Sequence, residues 1–288
     1  MKKLFFYSII NIVLLTATSG KGNSQSVMTM TTVPKTKEVR IELSGSGSAI
    51  IDWGNGKKDT IADINSFPNA SHYEYYHTYS DTFAHTITII GKNILRMGCS
   101  GNNLITLDVS KNTKLKLLFC DNNNLTRLDI SKNKKLLDLT CSNNRLTNLD
   151  VSKNKKLISL SCDSNKLIYL DISKNTKLLH LFCRANLLTS LDVSKNTKLW
   201  TLRCCRNQLT DLDLNKNTAL GDLKCSYNSF SETALNEMFE SLHNLRFKGK
   251  NLKHRYITSK VVNINGNPGI DTCDKSIAEK RGWKIIVR

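Results

Sequence analysis

Seven of the nine cysteines in the chain recur at one fixed interval, and this interval constrains the fold more than any other feature. Successive members are 21 residues apart throughout. The seven positions are Cys99, Cys120, Cys141, Cys162, Cys183, Cys204 and Cys225. A fixed period of this length is typical of a solenoid, in which each repeat forms one turn and stacks on its neighbours.

Each 21-residue unit also carries six apolar positions, which predict the inside of one turn. In one unit these are Leu115, Leu118, Cys120, Leu125, Leu128 and Ile130. Their spacing follows the pattern L-x-x-L-x-L-x-x-N-x-L, with cysteine in the third apolar position. One turn cannot bury its apolar side alone, whereas stacked turns share a core. The predicted fold is mainly β: a leucine-rich-repeat solenoid of 21-residue turns, with a small N-terminal β-sandwich-like cap and an α/β C-terminal cap.

The cysteine column is predicted to consist of small buried hydrophobic side chains. Stacked cysteines would lie about 4.8 Å apart, within disulfide range, but their Cβ vectors would be parallel and pairing would distort the sheet. A linear column also does not converge on one point, as a zinc site requires. Cys205 follows Cys204 directly, so strand alternation predicts an outward-facing, reactive thiol there.

An asparagine three residues after each of these cysteines predicts a ladder of buried amides. An amide can donate to the backbone and accept from it where the chain turns. The positions are Asn102, Asn123, Asn144, Asn165, Asn186, Asn207 and Asn228.

The cysteine-containing unit resembles the internalin type of bacterial leucine-rich repeats that carries a cysteine ladder. The run L-D-[VI]-S-K-N-x-K-L-x-x-L-x-C also resembles secreted leucine-rich proteins of Bacteroidetes. The resemblance covers residues from about 92 to 288. It implies a secreted or surface module for binding and adhesion, without catalytic residues to carry over.

The N-terminus predicts export. Met1-Lys2-Lys3 and an apolar run over residues 4–17 indicate a signal peptide at 1–19, followed by a linker at 20–36. The run is shorter than the ~20 residues of a spanning helix, and no cysteine follows it for lipid attachment. We therefore expect a secreted, cell-surface or periplasmic protein without a membrane span.

Two caps are expected to flank the repeats of residues 92–229. In residues 37–91, Asp52-Trp53-Gly54-Asn55-Gly56 and His77-Thr78-Tyr79 resemble the W-G-D-G and H-x-Y motifs of PKD-like β-sandwich domains, with Asn55 where aspartate is usual. Turn formation is the favoured role of the Asp and Asn residues here; a calcium site at Asp52 or Asp59 is the alternative. Residues 230–288 form the C-terminal cap, in which Leu235, Met238, Phe239 and Leu242 have helical spacing.

Catalysis is not expected. The sequence lacks G-x-S-x-G, H-E-x-x-H, P-loop and paired C-x-x-C motifs, and its six histidines are scattered. Active sites need groups that converge in a pocket, whereas a repeat array produces columns. We expect no enzyme activity, no cofactor and no resident metal.

Two charged columns and a formal charge of +18 suggest a negatively charged ligand. Aspartates recur at 108, 129, 150, 171, 192 and 213, and lysines at 111, 132, 153, 174, 195 and 216. A solvated turn explains both columns. The lysine stripe also suits an acidic glycan or lipopolysaccharide, since charge of this size attracts polyanions.

The positions beside the cysteine strand vary between turns, whereas the run L-D-[VI]-S-K-N hardly changes. Since structural demands are similar in every turn, variation on one face suggests recognition, with drift of an unselected surface as the alternative. Aromatic residues and arginines are the usual anchors of protein interfaces. The candidate ligand-binding residues are His180, Phe182, Arg184, Trp200, Arg203, Arg206 and Tyr227.

The sequence thus predicts a monomeric, exported, non-catalytic protein that binds a protein partner through this variable face. Two alternatives remain open: binding of an acidic glycan or lipopolysaccharide through the lysine stripe, and a structural spacer that displays the N-terminal domain. No specific nucleic-acid binding is expected.

Overall fold

The computed structural model describes residues 26–64, 73–244 and 260–287. The predicted signal peptide and residues 20–25 of the predicted linker lie outside these ranges. One sheet of fourteen strands runs through the described chain, in the order β14-β13-β12-β11-β10-β9-β8-β7-β5-β1-β6, with β2 paired to β3, β4 and β5. The predicted leucine-rich-repeat solenoid is confirmed.

The repeats form a stack of short parallel strands in register. The last residues of β5 (Thr86–Gly98) pair with β7 (Leu117–Phe119). β8 (Asp138–Thr140), β9 (Ser159–Ser161), β10 (His180–Phe182), β11 (Thr201–Arg203) and β12 (Asp222–Lys224) follow in order. Paired residues are 21 apart, as in Leu118 with Leu139. The sequence period is therefore the structural period.

The six apolar positions of each turn face one continuous core, as predicted. In the turn of Cys120, both Leu118 and Cys120 are fully buried, and Leu125, Leu128 and Ile130 return on the opposite side with at most 7% exposure. Adjacent parallel strands lie about 4.8 Å apart, so each leucine packs on its equivalents in the turns before and after. We call the outward side of the parallel strands the front face and the opposite side the back face.

The chain changes direction at two edges of each turn. At the first edge, the residue two positions after the cysteine adopts a positive φ, for example +52° at Asn143 and +51° at Ala185. At the second edge two β-turns follow each other: Asn133 N donates to Ile130 O and Leu136 N donates to Asn133 O. The two edges join the front strand to the back segment and back again.

The N-terminal cap is antiparallel and continuous with the repeat sheet. β2 (Glu38–Asp52) pairs with β3 (Lys58–Ile61), β4 (Tyr73–Thr78) and β5. β5 runs from this cap into the first parallel strand, so it crosses residues 91 and 92, where sequence reasoning divided the chain. The cap therefore extends the sheet of the solenoid.

β1 (Ser26–Thr32) lies in the segment predicted as a linker, and the structure differs there. It pairs antiparallel with both β5 and β6 (Leu104–Asp108). Met28 and Met30 are 1% exposed and join the core. The alternation of Met28, Met30 and Thr32 is the strand signal that sequence reasoning missed.

The C-terminal cap contains the helix predicted from the spacing of Leu235, Met238, Phe239 and Leu242, together with the strands expected of an α/β cap. α1 (Glu232–Ser241) is capped at its N-terminus by Ser231, whose side chain accepts from Ala234 N. β13 (Lys260–Asn263), α2 (Ser276–Lys280) and β14 (Trp283–Ile286) complete it. β13 pairs with β12, and Ile264, which follows β13, is fully buried at the position that aligns with Cys225. The solenoid thus gains a further turn beyond residue 229.

Candidate binding surface

The cysteines and the asparagines beside them make a rigid base for the front face. In a typical turn, Asn144 Nδ2 donates to Cys120 O of the preceding turn (2.9 Å) and to Cys141 O (3.1 Å), while its Oδ1 accepts from Leu125 N (3.0 Å). The same pattern recurs along the column, so the predicted asparagine ladder is confirmed. Its bonds join adjacent turns and fix the spacing of the front strands.

All nine cysteines are free, and the seven of the column are fully buried. Burial raises the pKa of the Cys120, Cys162 and Cys183 thiols well above the usual range. Cys205 corrects a prediction, because it is only 9% exposed and does not project freely from the outer face. It lies in a column between Arg184 and Ser226, where the next turns are close enough to cover a side chain as short as cysteine's.

Three of the candidate residues form one contiguous cluster on the front face, which we call the aromatic–arginine cluster: His180, Phe182 and Arg203. The rings of His180 and Phe182 are stacked with their centroids 6.4 Å apart. The Arg203 guanidinium lies 5.3 Å from the centroid of the Phe182 ring. This is the geometry of a cation–π contact.

Acidic residues in neighbouring turns hold the two arginines of this region. Arg203 Nη2 donates to Asp222 Oδ2 at 2.9 Å. Arg184 donates to Asp163 through both its backbone N (2.6 Å) and its Nε (2.9 Å), and Asp163 is itself buried. Both guanidiniums remain accessible, with side-chain exposures of 52% for Arg184 and 36% for Arg203. The acidic partners therefore hold both arginines in place while leaving them accessible to a binding partner.

Arg206 and Tyr227 lie on the adjoining edge, at the position of positive φ in their turns. The Arg206 guanidinium is 5.3 Å from the centroid of the Tyr227 ring. Tyr227 is 49% exposed, and Asn265 Nδ2 donates to its hydroxyl at 3.1 Å. This pair extends the arginine-and-aromatic surface around the edge.

Trp200 stands apart from the other candidates. It immediately precedes β11, at the opposite end of the strand from Arg203. A Cβ added to Gly221 would lie 3.3 Å from its ring atoms. Its ring thus covers Gly221 of the next turn and braces the two turns against each other. We assign Trp200 a packing role.

The charged columns occupy the second edge. Each aspartate accepts a hydrogen bond from the backbone N two residues later, as in Asp150 Oδ1 with Ser152 N (2.8 Å). This bond lowers the pKa of Asp129, Asp150, Asp171 and Asp192. The lysines beside them are exposed.

In the N-terminal cap, Asp52 and Asp59 have structural partners. Asp52 Oδ1 accepts from Gly54 N, and its Oδ2 pairs with Lys58 Nζ at 2.9 Å. Asp59 Oδ2 accepts from Trp53 Nε1 at 2.9 Å. Within residues 26–64, 73–244 and 260–287, no group of three or more His, Cys, Asp or Glu residues is arranged to hold a metal ion. Helices of the described residues are too short or too polar to cross a bilayer.

Two surface features were missed from the sequence. On the front face, the Arg96 guanidinium lies 4.3 Å from the centroid of the Phe119 ring and donates to Glu42. Where the back face meets the second edge, a groove of about 330 Å³ is lined by Tyr169, Asp171, Asp192 and Asp213, among others. Tyr169 is 61% exposed and Ile168 67%. The signal that could have indicated it was Tyr169, the one aromatic residue in a column that otherwise holds polar residues: Thr106, Arg127, Asn148, Ser190 and Asp211.

Comparison with solved structures finds leucine-rich-repeat proteins. The functional domain of the internalin InlJ from Listeria monocytogenes, which includes a cysteine ladder, is 30% identical, with 69% of this chain and 50% of that chain covered and a TM-score of 0.45. The internalin InlF of Listeria monocytogenes is 17% identical, covering 67% of this chain and 60% of that one, with a TM-score of 0.47. A leucine-rich-repeat protein of Leptospira interrogans is 20% identical, covering 62% and 50%, with a TM-score of 0.44. The chain spans half to three fifths of the length of these proteins.

No family model matches the sequence, and no curated protein matches it.

Proposed function

We propose that the chain is an exported, non-catalytic binding and adhesion protein that recognises a protein partner through the front face of its repeats. In this proposal residues 1–19 are a leader of the kind found in secreted leucine-rich proteins of Bacteroidetes, and the N-terminal cap is a PKD-like segment that covers the open end of the solenoid. One observation carries the proposal: Phe182 and Arg203 are exposed enough to be contacted and are already held in place by their neighbours.

The shape of the front face favours a macromolecular partner. Nine of its strands are parallel: the end of β5, the six three-residue strands β7–β12, and the four-residue strands β13 and β14. Together they give an area of about 10 Å by 38 Å, roughly 380 Å². A standard protein interface buries about 800 Å² on each partner. A partner of the front face must therefore also contact an adjoining edge, which supports the inclusion of Arg206 and Tyr227 in its footprint.

The energetics favour the aromatic–arginine cluster as the centre of that footprint. Arginine and aromatic side chains account for most of the strong anchors in protein interfaces. Binding also costs less when side chains are ordered beforehand, since immobilising a long side chain costs about 0.5–1.5 kcal/mol. Contacts with Asp222 and Phe182 already restrict Arg203.

The test is a binding screen of the full chain against an array of purified extracellular protein domains. We expect a bound partner to lose at least about 30-fold in affinity when Phe182→Ala and Arg203→Ala are combined, which corresponds to an anchor of about 2 kcal/mol. The matched control is Ile168→Ala with Tyr169→Ala on the back face. Thermal melts confirm that both variants are folded.

Loss of binding in the back-face variant, with the front-face variant unaffected, contradicts the proposal. So does an array on which no protein domain is bound while immobilised glycans are.

A further inference from the structure

The second edge of the solenoid carries exposed lysines at the tips of paired β-turns. In the turn of Asn133, Lys132 occupies the first β-turn, and Lys134 and Lys135 occupy the second. We call these residues and their equivalents the lysine edge. Its members are Lys111, Lys114, Lys132, Lys134, Lys135, Lys153, Lys155, Lys156, Lys174, Lys177, Lys195, Lys198 and Lys216.

A second asparagine ladder holds these turns rigidly in line. Asn154 is fully buried between its two β-turns, and its Nδ2 donates to Ile130 O and to Asn133 O of the preceding turn, both at 3.0 Å. The same bonds recur at Asn133, Asn175, Asn196 and Asn217. Each group of lysines therefore repeats at the spacing of the turns, about 4.8 Å.

The lysines form two rows with different surroundings. The inner row (Lys111, Lys132, Lys153, Lys174, Lys195, Lys216) lies beside the aspartate column, and Lys132 helps to lower the pKa of Asp129. Lys134 and Lys155 come between the two rows in the sequence. The outer row is Lys114, Lys135, Lys156, Lys177 and Lys198. Within the described part of the chain, no lysine of either row forms a close ion pair, but the inner-row lysines also interact electrostatically with the neighbouring aspartates. Like charges held this close repel each other, so the outer row gains most from a bound anion.

The other residues on this edge favour a polysaccharide over a nucleic acid or a membrane surface as the polyanion. The turn positions beside the lysines are mainly Ser and Thr: Ser131 and Ser152 are half-buried, and Thr176 and Thr197 are exposed. Hydroxyl groups donate to and accept from sugar hydroxyls. No aromatic residue occupies these positions, whereas proteins that bind single-stranded nucleic acids stack bases on aromatic rings. The edge also presents no apolar face that would add to electrostatic attraction at a membrane surface.

We propose that the lysine edge binds a linear acidic polysaccharide, which lies along the solenoid axis with its acidic groups on the outer lysine row. This site is separate from the front face, and it does not depend on the protein partner proposed above.

The experiment measures binding of polygalacturonate oligomers, which carry one carboxylate per sugar, to the full chain by calorimetry at several salt concentrations. Wild-type affinity should fall as salt rises, because binding releases counterions. The variant Lys135→Gln, Lys156→Gln, Lys177→Gln should lose at least about tenfold in affinity at low salt and show a shallower salt dependence. The control Lys37→Gln, Lys57→Gln, Lys166→Gln removes the same charge from exposed positions elsewhere and should change the affinity by less than about twofold.

Three outcomes overturn the proposal: equal losses in the two variants, which indicate attraction by net charge alone; a larger loss from Lys132→Gln, Lys153→Gln, Lys174→Gln than from the outer-row variant; and tighter binding of a charge-matched DNA oligonucleotide or of anionic lipid vesicles than of polygalacturonate. Fully methyl-esterified polygalacturonate should not bind. Because Phe182 and Arg203 are unchanged in these variants, failure here leaves the proposed protein binding to its own test.

Discussion

Arg203 on β11 lies between Asp222 on β12 and the ring of Phe182 on β10. Its Nη2 and Nε atoms are 2.9 Å and 3.2 Å from Asp222 Oδ2, and its guanidinium carbon is 5.3 Å from the Phe182 ring centroid. The register of the parallel strands places these three side chains together, since Phe182 pairs with Arg203 and Thr201 with Asp222. The orientation of Arg203 is thus set by the sheet before any partner binds.

The first prediction tests this positioning. Asp222→Asn keeps the shape of the side chain but removes its charge, so Arg203 should become less ordered while the fold is retained. The stability loss should be below about 1 kcal/mol, because the pair is partly exposed. Affinity for a front-face partner should fall several-fold. A double-mutant cycle of Arg203→Ala and Asp222→Asn checks this; additive effects on binding would show that the aspartate does not act through Arg203.

The second prediction compares the two asparagine ladders. Asn165 Nδ2 donates to Cys141 O and Cys162 O, and its Oδ1 accepts from Leu146 N. Asn175 Nδ2 also donates to two carbonyls, but its Oδ1 has no hydrogen-bond partner among the described residues. Each orphaned buried group costs about 1–3 kcal/mol. Asn175→Ala should therefore cost about 2–3 kcal/mol, and Asn165→Ala about 1–2 kcal/mol more.

Urea unfolding measures the loss of unfolding free energy in both variants, provided that the m-value is unchanged by the substitution. Equal losses, or a larger loss for Asn175→Ala, would contradict the assigned hydrogen bonds. A substitution on the surface of the same turn, Thr176→Ala, serves as the control and should change stability by less than about 0.5 kcal/mol.

The third prediction concerns the positive φ at the first edge. Ala185 adopts a φ of +51° there, a conformation that costs an L-residue about 1–2 kcal/mol. Glycine adopts it freely but loses more entropy on folding. Ala185→Gly should therefore stabilise the protein by about 0.5–1 kcal/mol. Ala234→Gly within α1 is the matched control and should destabilise it by a similar amount. A destabilising Ala185→Gly would show that the turn is not strained.

The 21-residue period and the apolar frame were enough to predict the solenoid, because each inward position in the sequence is one column of the core. The first asparagine ladder was predictable for the same reason. The positive φ two residues after each cysteine was also encoded, since Gly101, Asn122 and Asn143 favour it. In later turns the same position holds residues whose type does not indicate a positive φ: Ser164, Ala185, Arg206 and Tyr227.

The second asparagine ladder was missed because Ser-Lys-Asn has the composition of a solvated turn. Only the structure places Asn133 and its equivalents between two β-turns with complete burial. The sequence likewise did not indicate which side chains of neighbouring turns cover one another. Strand alternation predicted an exposed Cys205, but the close approach of neighbouring turns covers it. Trp200 was grouped with Phe182 by composition, although its ring packs over Gly221.

The fourth prediction follows from the burial of the thiols. Under native conditions at pH 8, iodoacetamide should leave the seven cysteines of the column unlabelled, because they are inaccessible and burial raises their pKa. Cys205 and Cys273, at 9% and 6% exposure, should react first but slowly. In denaturant all nine should be labelled. Mass spectrometry distinguishes this from disulfide formation, which would leave pairs of thiols unlabelled in denaturant.

The last prediction is a dependence of stability on acid. Hydrogen bonds from the backbone lower the pKa of Asp129, Asp150 and Asp171 in the folded chain. A lowered folded pKa means that the unfolded chain binds these protons more readily. Their stabilisation is therefore complete above the unfolded value, about 3.9, and is lost as pH falls through the folded values. The melting temperature should drop below about pH 4.

Combined replacement of these three aspartates tests the cause. An asparagine Oδ1 accepts the same backbone hydrogen bond but does not titrate, so the triple Asp→Asn variant should match the parent near pH 7 and lose less stability between about pH 4 and pH 2. The triple Asp→Ala variant lacks the hydrogen bonds and should be less stable at every pH, by about 0.5 kcal/mol at each site. If the Asn variant kept the full acid sensitivity of the parent, other aspartates with a lowered pKa, such as Asp192 and Asp52, would account for it.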